Sequence, residues 1–139
     1  MTEDAKERAR ELIAQNPNSV LVTIDANGYP ACRTMWTAKI ENDFTVYYVT
    51  GRGSNKCGQI AANPRVTVFW PVGDSYVALK GDAVVTDDQE IRDMLWNDSM
   101  TQYFPAGRTD PNYVVVQIKP RELTCLDGKD HSVHTATFC

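Results

Sequence analysis

Several features that would assign this chain to a familiar class are missing from its sequence. No apolar run approaches the ~18–20 residues of a transmembrane helix, and the acidic start Met1–Asp4 lacks the basic and apolar segments of a signal peptide. Charged residues are interspersed and the net charge is −4, whereas nucleic-acid-binding domains usually carry a basic patch. We therefore expect a cytoplasmic protein that binds neither membrane nor nucleic acid.

A disulfide framework is also missing. No CxxC pair and no regular spacing connects the four cysteines, which are Cys32, Cys57, Cys125 and Cys139. In a reducing compartment such cysteines stay free thiols. Near the C-terminus, His131 and His134 lie close to Asp130 and Cys139 in sequence and could ligate a metal. No closed set of four ligands is visible, so we predict no metal site.

What the sequence does contain is a series of short strand-like runs joined by turn residues. The first half predicts an amphipathic helix over 4–15 and strands over 19–24, 30–40, 44–50 and 65–70. Asn27-Gly28 is a strong hairpin signal between the first two strands. In the fifth strand, 75–85, Gly81 indicates a bulge or bend.

The second half predicts one more helix and two more strands. Thr86 and Gln89 fit a capping box that would begin the helix. Strands follow over 112–119 and 122–126, and residues 127–139 are expected to be a mobile tail. About seven strands with two or three flanking helices predict one mainly β domain over residues 1–139, a small antiparallel split barrel.

The segment after the third strand has the composition of an anion site. Ser54 and Lys56 open a short helix, predicted over 54–62, directly after the glycine linker 51–53. A helix N-terminus with a hydroxyl and a cation suits a phosphate. The GxxxxGK[ST] and GxGxxG motifs are absent, and Ser54 could simply be an N-cap beside a solvated lysine. Cys57 could be an activated thiolate or a small buried hydrophobe, and we favour the second reading.

Taken in order, these motifs resemble the pyridoxamine 5'-phosphate oxidase-like family of FMN-binding split barrels, especially its small general-stress-protein subgroup. The resemblance covers residues ~8–127 and is carried by Gly28-Tyr29-Pro30, Arg33-Thr34-Met35, Val46-Tyr47-Tyr48-Val49-Thr50, Ser54-Asn55-Lys56, Ala62-Asn63-Pro64-Arg65-Val66, Leu79-Lys80-Gly81-Asp82-Ala83, Phe104-Pro105-Ala106-Gly107 and Asp110-Pro111-Asn112-Tyr113-Val114.

This resemblance implies FMN bound between the two subunits of a homodimer. It places the phosphate on Arg33 and on the motif Ser54-Asn55-Lys56, in which Asn55 stands where the oxidases often have a basic residue. The isoalloxazine ring would be edged by the backbone of Thr34, Met35 and Trp36, and Val49 and Thr50 would contact the flavin from the next strand. Tyr103 and Phe104 are the candidate ring neighbours in the breaker-rich loop.

The expected function is that of an FMN-dependent oxidoreductase whose substrate and catalytic residues the sequence does not identify. The oxidases have a further C-terminal segment that is not recognisable in Gly128–Cys139, so oxidation of pyridoxamine 5'-phosphate is not expected. Alternatives are a non-catalytic flavin-binding protein and a binder of another planar cofactor, haem or a deazaflavin. Trp36, Trp70 and Trp96 could stack near the cofactor, but core packing is the default for each.

Overall fold

The structure, a computed structural model, describes residues 1–138 and consists of one curled antiparallel sheet with three α-helices. In chain order its elements are α1 (Glu3–Gln15), β1 (Asn18–Ile24), β2 (Pro30–Trp36), β3 (Lys39–Ile40), β4 (Val46–Gly51), α2 (Asn55–Ala62), β5 (Arg65–Val72), β6 (Ser75–Thr86), α3 (Gln89–Leu95), two short 3-10 helices (Asp98–Gln102 and Gly107–Thr109), β7 (Tyr113–Asp127) and β8 (Ser132–Thr137). Across residues 1–138, every helix is too short or too polar to cross a membrane.

The sheet curls into a split barrel whose two end strands are β2 and β3. The order is β2-β1-β5-β6-β7-β4-β3, with β8 added to β7. Across the split, the buried hydroxyls of Ser19 on β1 and Tyr48 on β4 are hydrogen-bonded to each other, and Ser19 also bonds Thr37 at 2.9 Å. Burial raises the pKa of Tyr48 to about 12. The predicted mainly β split barrel with flanking helices is confirmed.

Apolar side chains form two clusters on different parts of the sheet. The main core fills the barrel and includes Leu12 of α1, Leu21, Trp70 and Leu79, each almost fully buried. The second cluster joins Tyr47 and Tyr113 to α3 and the loop that follows it. Trp70 is therefore a core residue. The second cluster is the one that supports the candidate site.

The predicted strand 30–40 is instead two strands with different partners. The Thr37 N–H still donates to Pro17 O, directly before β1, at 2.8 Å, whereas the next N–H, that of Ala38, donates to Tyr47 O of β4 at 2.9 Å. The chain thus crosses from one end of the open sheet to the other. No local pattern shows this change of partner, since Pro17 and Tyr47 are distant in sequence from the residues that bond them.

The strands predicted over 112–119 and 122–126 are, in contrast, one continuous strand, β7. Pro120 lies opposite Gly81, where the register between β6 and β7 shifts. A Cβ on Gly81 would lie 2.5 Å from the carbonyl oxygen of Lys119. The bulge that Gly81 indicated is confirmed, and it lets β7 pass its proline without ending.

Two local predictions are wrong. The expected mobile tail is mostly β8, in which Ser132–Thr137 pair with Glu122–Asp127 of β7. β4 pairs with the first half of the same β7 edge, and β8 covers the second half. Helix α3 is capped by Asp88, whose carboxylate accepts from the Glu90 N–H at 3.2 Å, while Thr86 Oγ1 accepts from the Asp88 N–H. The capping box predicted at Thr86 fails because β6 continues through that residue.

Candidate cofactor site

The start of α2 leaves its Ser54 hydroxyl available beside the helix terminus. Ser54 occupies the N-cap position in an extended conformation, but its side chain makes no capping hydrogen bond. The hydroxyl instead lies 3.4 Å from Thr50 Oγ1 and donates to Cys57 Sγ at 3.2 Å. The first N–H groups of a helix have no intrahelical acceptor. An incoming anion could therefore use both the hydroxyl and the helix terminus.

Lys56 joins this hydroxyl pair without a carboxylate partner. Its Nζ donates to Thr50 Oγ1 at 3.1 Å, and the side chain is half-buried. Within residues 1–138, Lys56 forms no ion pair. Thr50, Ser54 and Lys56 are thus brought together as a positive, hydroxyl-rich corner between β4 and α2. Asn55, in the middle of the motif, is exposed.

Arg33 reaches the other end of the same helix face. Its guanidinium donates to Leu21 O at 3.2 Å, to Thr23 Oγ1 at 2.8 Å and to Gln59 Oε1 at 3.1 Å. All three acceptors are neutral, and the loss of solvent on burial lowers the pKa of Arg33. Gln59 follows Lys56 by three residues and so shares its face of α2. The two predicted phosphate cations therefore flank one helix.

Thr23 and Gln59 were missed by the sequence reasoning. Thr23 is fully buried, and its hydroxyl donates to Gln59 Oε1 at 2.5 Å while accepting from Arg33. These two residues hold the guanidinium against α2. The three-residue spacing between Lys56 and Gln59 could have indicated that Gln59 shares the helix face of the predicted phosphate site. No pattern in the sequence linked Thr23 to the site.

The three consecutive β2 residues predicted to edge the flavin ring lie on an open strand. Because β2 is an end strand of the sheet, one of its backbone edges has no partner strand among the described residues. Thr34 is exposed, the Met35 side chain packs against the main core, and Trp36 is 64% exposed. The prediction was that the backbone of these three residues contacts the flavin ring, and the free edge of β2 is compatible with it.

A cleft of about 640 Å³ extends from this corner. One wall consists of Trp36 and Ala38, followed by Val49, Thr50 and Gly51 of β4. Thr50 therefore belongs to both the cleft and the positive corner, since its hydroxyl also accepts from Lys56. The volume is in the usual range of small-molecule sites. Four of the nine predicted binding residues thus gather around Thr50, namely Trp36, Val49, Ser54 and Lys56.

The opposite wall comes from the segment after α3, in which Phe104 is buried and stacks on Tyr113 with the ring centroids 5.1 Å apart. Tyr103 is 70% exposed beside it, and both residues line the cleft. The remaining residues of this wall are Leu95, Asn97, Ser99 and Met100, while Asn112 lies beside Gly51 and joins the β4 side. The sequence motifs did not identify these four residues, because only the packing of α3 and the segment after it against β7 brings them opposite β4.

A second concavity, of about 510 Å³, lies elsewhere on the sheet, around Val22, Pro30 and Arg65. Two of its cations are already paired, since Arg121 Nε lies 2.6 Å from Asp82 and Lys80 Nζ lies 3.7 Å from Glu122. It contains none of the predicted cofactor residues. The cleft beside Thr50 therefore matches the predicted site better.

Two further candidate sites were Cys57 and the segment that contains His131 and His134. Cys57 is buried and donates to Gly51 O at 3.5 Å, which agrees with its reading as a small buried side chain. Within residues 1–138 no group of three or more potential metal ligands comes together. His134 contacts Ser132 at 3.1 Å on β8, and Cys139 lies outside the described residues.

Comparison with known proteins identifies the family and the fold. Residues 4–138 match the family model described as pyridoxamine 5'-phosphate oxidase like. The chain is 25% identical to general stress protein 26 of Bacillus subtilis over 131 residues, which is 91% of each chain. It is 35% identical over 101 residues to the pyridoxine/pyridoxamine 5'-phosphate oxidase of Pseudomonas paraeruginosa, covering 70% of this chain but only 43% of that protein.

Solved structures show the same fold. A Clostridium acetobutylicum protein related to general stress protein 26 superimposes with a TM-score of 0.84 at 18% identity, over 99% of this chain and 97% of that one. An FMN-binding protein of Nostoc punctiforme related to pyridoxamine 5'-phosphate oxidase gives 0.70 at 17% identity, over 98% and 93%. A haem-binding protein of Mycobacterium smegmatis gives 0.77 at 15% identity, over 99% and 59%. The chain belongs to the pyridoxamine 5'-phosphate oxidase-like family.

Proposed function

We propose that this protein binds FMN and acts as a flavin-dependent oxidoreductase. The observation that carries the proposal is the pair of cations along α2. Arg33 and Lys56 each contact neutral acceptors and form no ion pair within residues 1–138. A phosphate would supply the missing negative charge, with Arg33 as a fork, Lys56 as a point charge and the Ser54 hydroxyl as a further donor.

The β4 side of the adjoining cleft would take the flavin ring. Its β4 wall offers Val49 and Thr50, and the free edge of β2 passes Trp36. FMN, when bound, supplies the hydride chemistry, and the protein supplies position and electrostatics. Val49 and Trp36 would exclude water from one side of the ring. Thr50 would connect the ring region to the phosphate corner through its bond to Lys56.

The first experiment identifies the cofactor. The absorption spectrum of the purified protein and the mass of any released ligand distinguish FMN from haem and from a deazaflavin. The haem-binding structural relative makes haem the main alternative. Haem iron is usually held by histidine, cysteine, methionine or tyrosine; within residues 1–138 the cleft lining has no histidine or cysteine, whereas Met100 and Tyr103 do line it. A haem spectrum, or a protein that cannot be loaded with FMN, would refute the proposal.

A second experiment separates turnover from simple binding. The FMN-loaded protein is mixed anaerobically with NADH, NADPH or a reduced deazaflavin, and the flavin absorbance near its visible maximum is followed. Reduction, followed by reoxidation with an added acceptor, would support an oxidoreductase. If none of the three donors reduces the flavin, the non-catalytic flavin-binding role becomes the better interpretation.

We also propose that the working unit is a homodimer with the cofactor between subunits. Trp36 is 64% exposed and Tyr103 is 70% exposed, on opposite walls of the cleft. Such large aromatic side chains are enriched in protein interfaces. Trp36→Glu should therefore weaken both self-association and FMN binding. Light scattering at micromolar concentration measures the first effect, and a parent protein that is monomeric while it holds FMN would contradict the proposal.

A further inference from the structure

The part of the cleft beside Thr50 that this chain forms is uncharged. Of its lining residues within residues 1–138, none is a lysine, arginine, histidine, aspartate or glutamate. The neighbouring cation, Lys56, lies at one end, where it is hydrogen-bonded to Thr50. Binding an ionised group in the cleft would remove its water without giving it an opposite charge, which is unfavourable. The interior of the cleft therefore favours neutral molecules.

The polar groups of the cleft offer hydrogen-bond donors. Asn112 Oδ1 accepts from the Arg52 N–H at 3.1 Å, and Asn97 Oδ1 accepts from the Ser99 N–H at 3.1 Å. Both asparagines are exposed, and their side-chain NH₂ groups donate to no acceptor within residues 1–138. A carbonyl oxygen on a ligand could accept from either of them.

The apolar part of the cleft suits a flat ring. Phe104 is held by its stacking on Tyr113, and Leu95 and Met100 pack beside it in the second apolar cluster. Tyr103 stands exposed at the rim. Aromatic and thioether side chains of this kind bind planar rings through dispersion and offset stacking.

We propose that the Leu95–Phe104 side of this cleft, facing the flavin on the β4 side, binds a neutral planar molecule that carries ring carbonyls, of the quinone class. The proposal rests on the proposed function, because the ring would be the partner of a bound FMN. It excludes substrates that would carry a phosphate or sulfonate group into the cleft. It also assigns the substrate-facing wall to the segment between Leu95 and Phe104, which the sequence pattern did not connect with the cofactor motifs.

The test compares 1,4-naphthoquinone with 1,4-naphthoquinone-2-sulfonate, two probes that differ by one anionic group. Isothermal titration calorimetry is performed on the protein with and without FMN. We expect the FMN-loaded protein to bind the neutral quinone at least tenfold more tightly than the sulfonate, which corresponds to about 1.4 kcal/mol. Equal affinity for the two probes would overturn the proposal. A quinone that binds only the FMN-free protein would also overturn it, since the probe would then occupy the place of the flavin ring.

Two pairs of variants locate the site. Ser99→Trp should fill the cleft and abolish quinone binding, whereas Thr101→Trp, on the same 3-10 helix but outside the cleft lining, should not. Tyr103→Lys should raise the affinity for the sulfonate about fivefold. Tyr29→Lys is the matched control, because Tyr29 is 69% exposed but lies outside the cleft. Equal effects within either pair would place the quinone elsewhere. FMN loading is measured separately by absorbance, so failure of flavin binding is distinguished from failure of this proposal.

Discussion

Replacing Lys56 with methionine is expected to weaken FMN binding and to leave riboflavin binding nearly unchanged. The substitution keeps an unbranched apolar stem in the half-buried position but removes the ammonium that donates to Thr50 Oγ1 at 3.1 Å. Only FMN carries a phosphate, so only FMN should lose a charged partner. The ratio of the two affinities therefore reports the phosphate contact itself.

The size of the effect follows from the surroundings of Lys56. A hydrogen bond to a charged group contributes about 1.5–3 kcal/mol, which corresponds to a roughly 10- to 150-fold change in Kd. Because Lys56 is half-buried rather than fully buried, solvent screening favours the lower end, about tenfold. The lost bond to Thr50 should lower the free energy of unfolding by only about 1 kcal/mol.

Quenching of flavin fluorescence on titration measures both affinities, and circular dichroism checks the fold. Lys119→Met is the matched control, because Lys119 is exposed on β7, forms no ion pair within residues 1–138 and changes the net charge equally. The reasoning is refuted if the parent protein binds FMN and riboflavin equally well. It is also refuted if Lys56→Met and Lys119→Met reduce FMN affinity to the same extent.

Three further predictions concern stability and turnover. Gly81→Ala should destabilise the protein by about 1–3 kcal/mol in urea unfolding, because the new Cβ would lie 2.5 Å from Lys119 O. Gly58→Ala is the control and should not destabilise it, because no atom lies within 4 Å of the Cβ position there. The Lys129 N–H lowers the pKa of Asp127 below its usual 3.8, so its stabilisation is present above that pH and is lost as the pH falls through the lower folded-state value. Asp127→Asn should therefore reduce the drop in urea midpoint between about pH 5 and about pH 3. Pyridoxal 5'-phosphate should not form from pyridoxamine 5'-phosphate and oxygen, since the cleft lining within residues 1–138 offers no cation for a second phosphate. Turnover near about 10 per second would contradict this.

The elements that depend on neighbouring residues were predictable from the sequence. Alternation of apolar residues gave the strands, and Asn63-Pro64 gave the end of α2 at Ala62. Gly81 indicated its bulge because only a residue without a side chain fits against the backbone of β7. The position of Ser54 and Lys56 at a helix start followed in the same way. Each of these features is decided within a few residues along the chain.

Which distant segments meet was decided only by the tertiary structure. The split of 30–40 into β2 and β3 follows from hydrogen bonds to Pro17 and Tyr47, which no local pattern contains. β8 forms because the outer half of β7 offers an edge to pair with. Gln59 and Thr23 hold Arg33 only after α2 packs beside β1 and β2.

In the candidate site, too, some features follow from the local sequence and others only from tertiary packing. The sequence motifs identified the β4 wall of the cleft and the cations near it, since these lie on one continuous stretch and one adjacent strand. The wall from Leu95 to Phe104 faces them because Trp96 and Phe104 both pack on Tyr113. Trp96 is more than a dozen residues from Tyr113 in sequence. The sequence thus determined where a phosphate could bind. Only the packing of α3 and its following loop against β7 decided that the adjoining cleft is uncharged, because charge within a cleft depends on every segment that surrounds it.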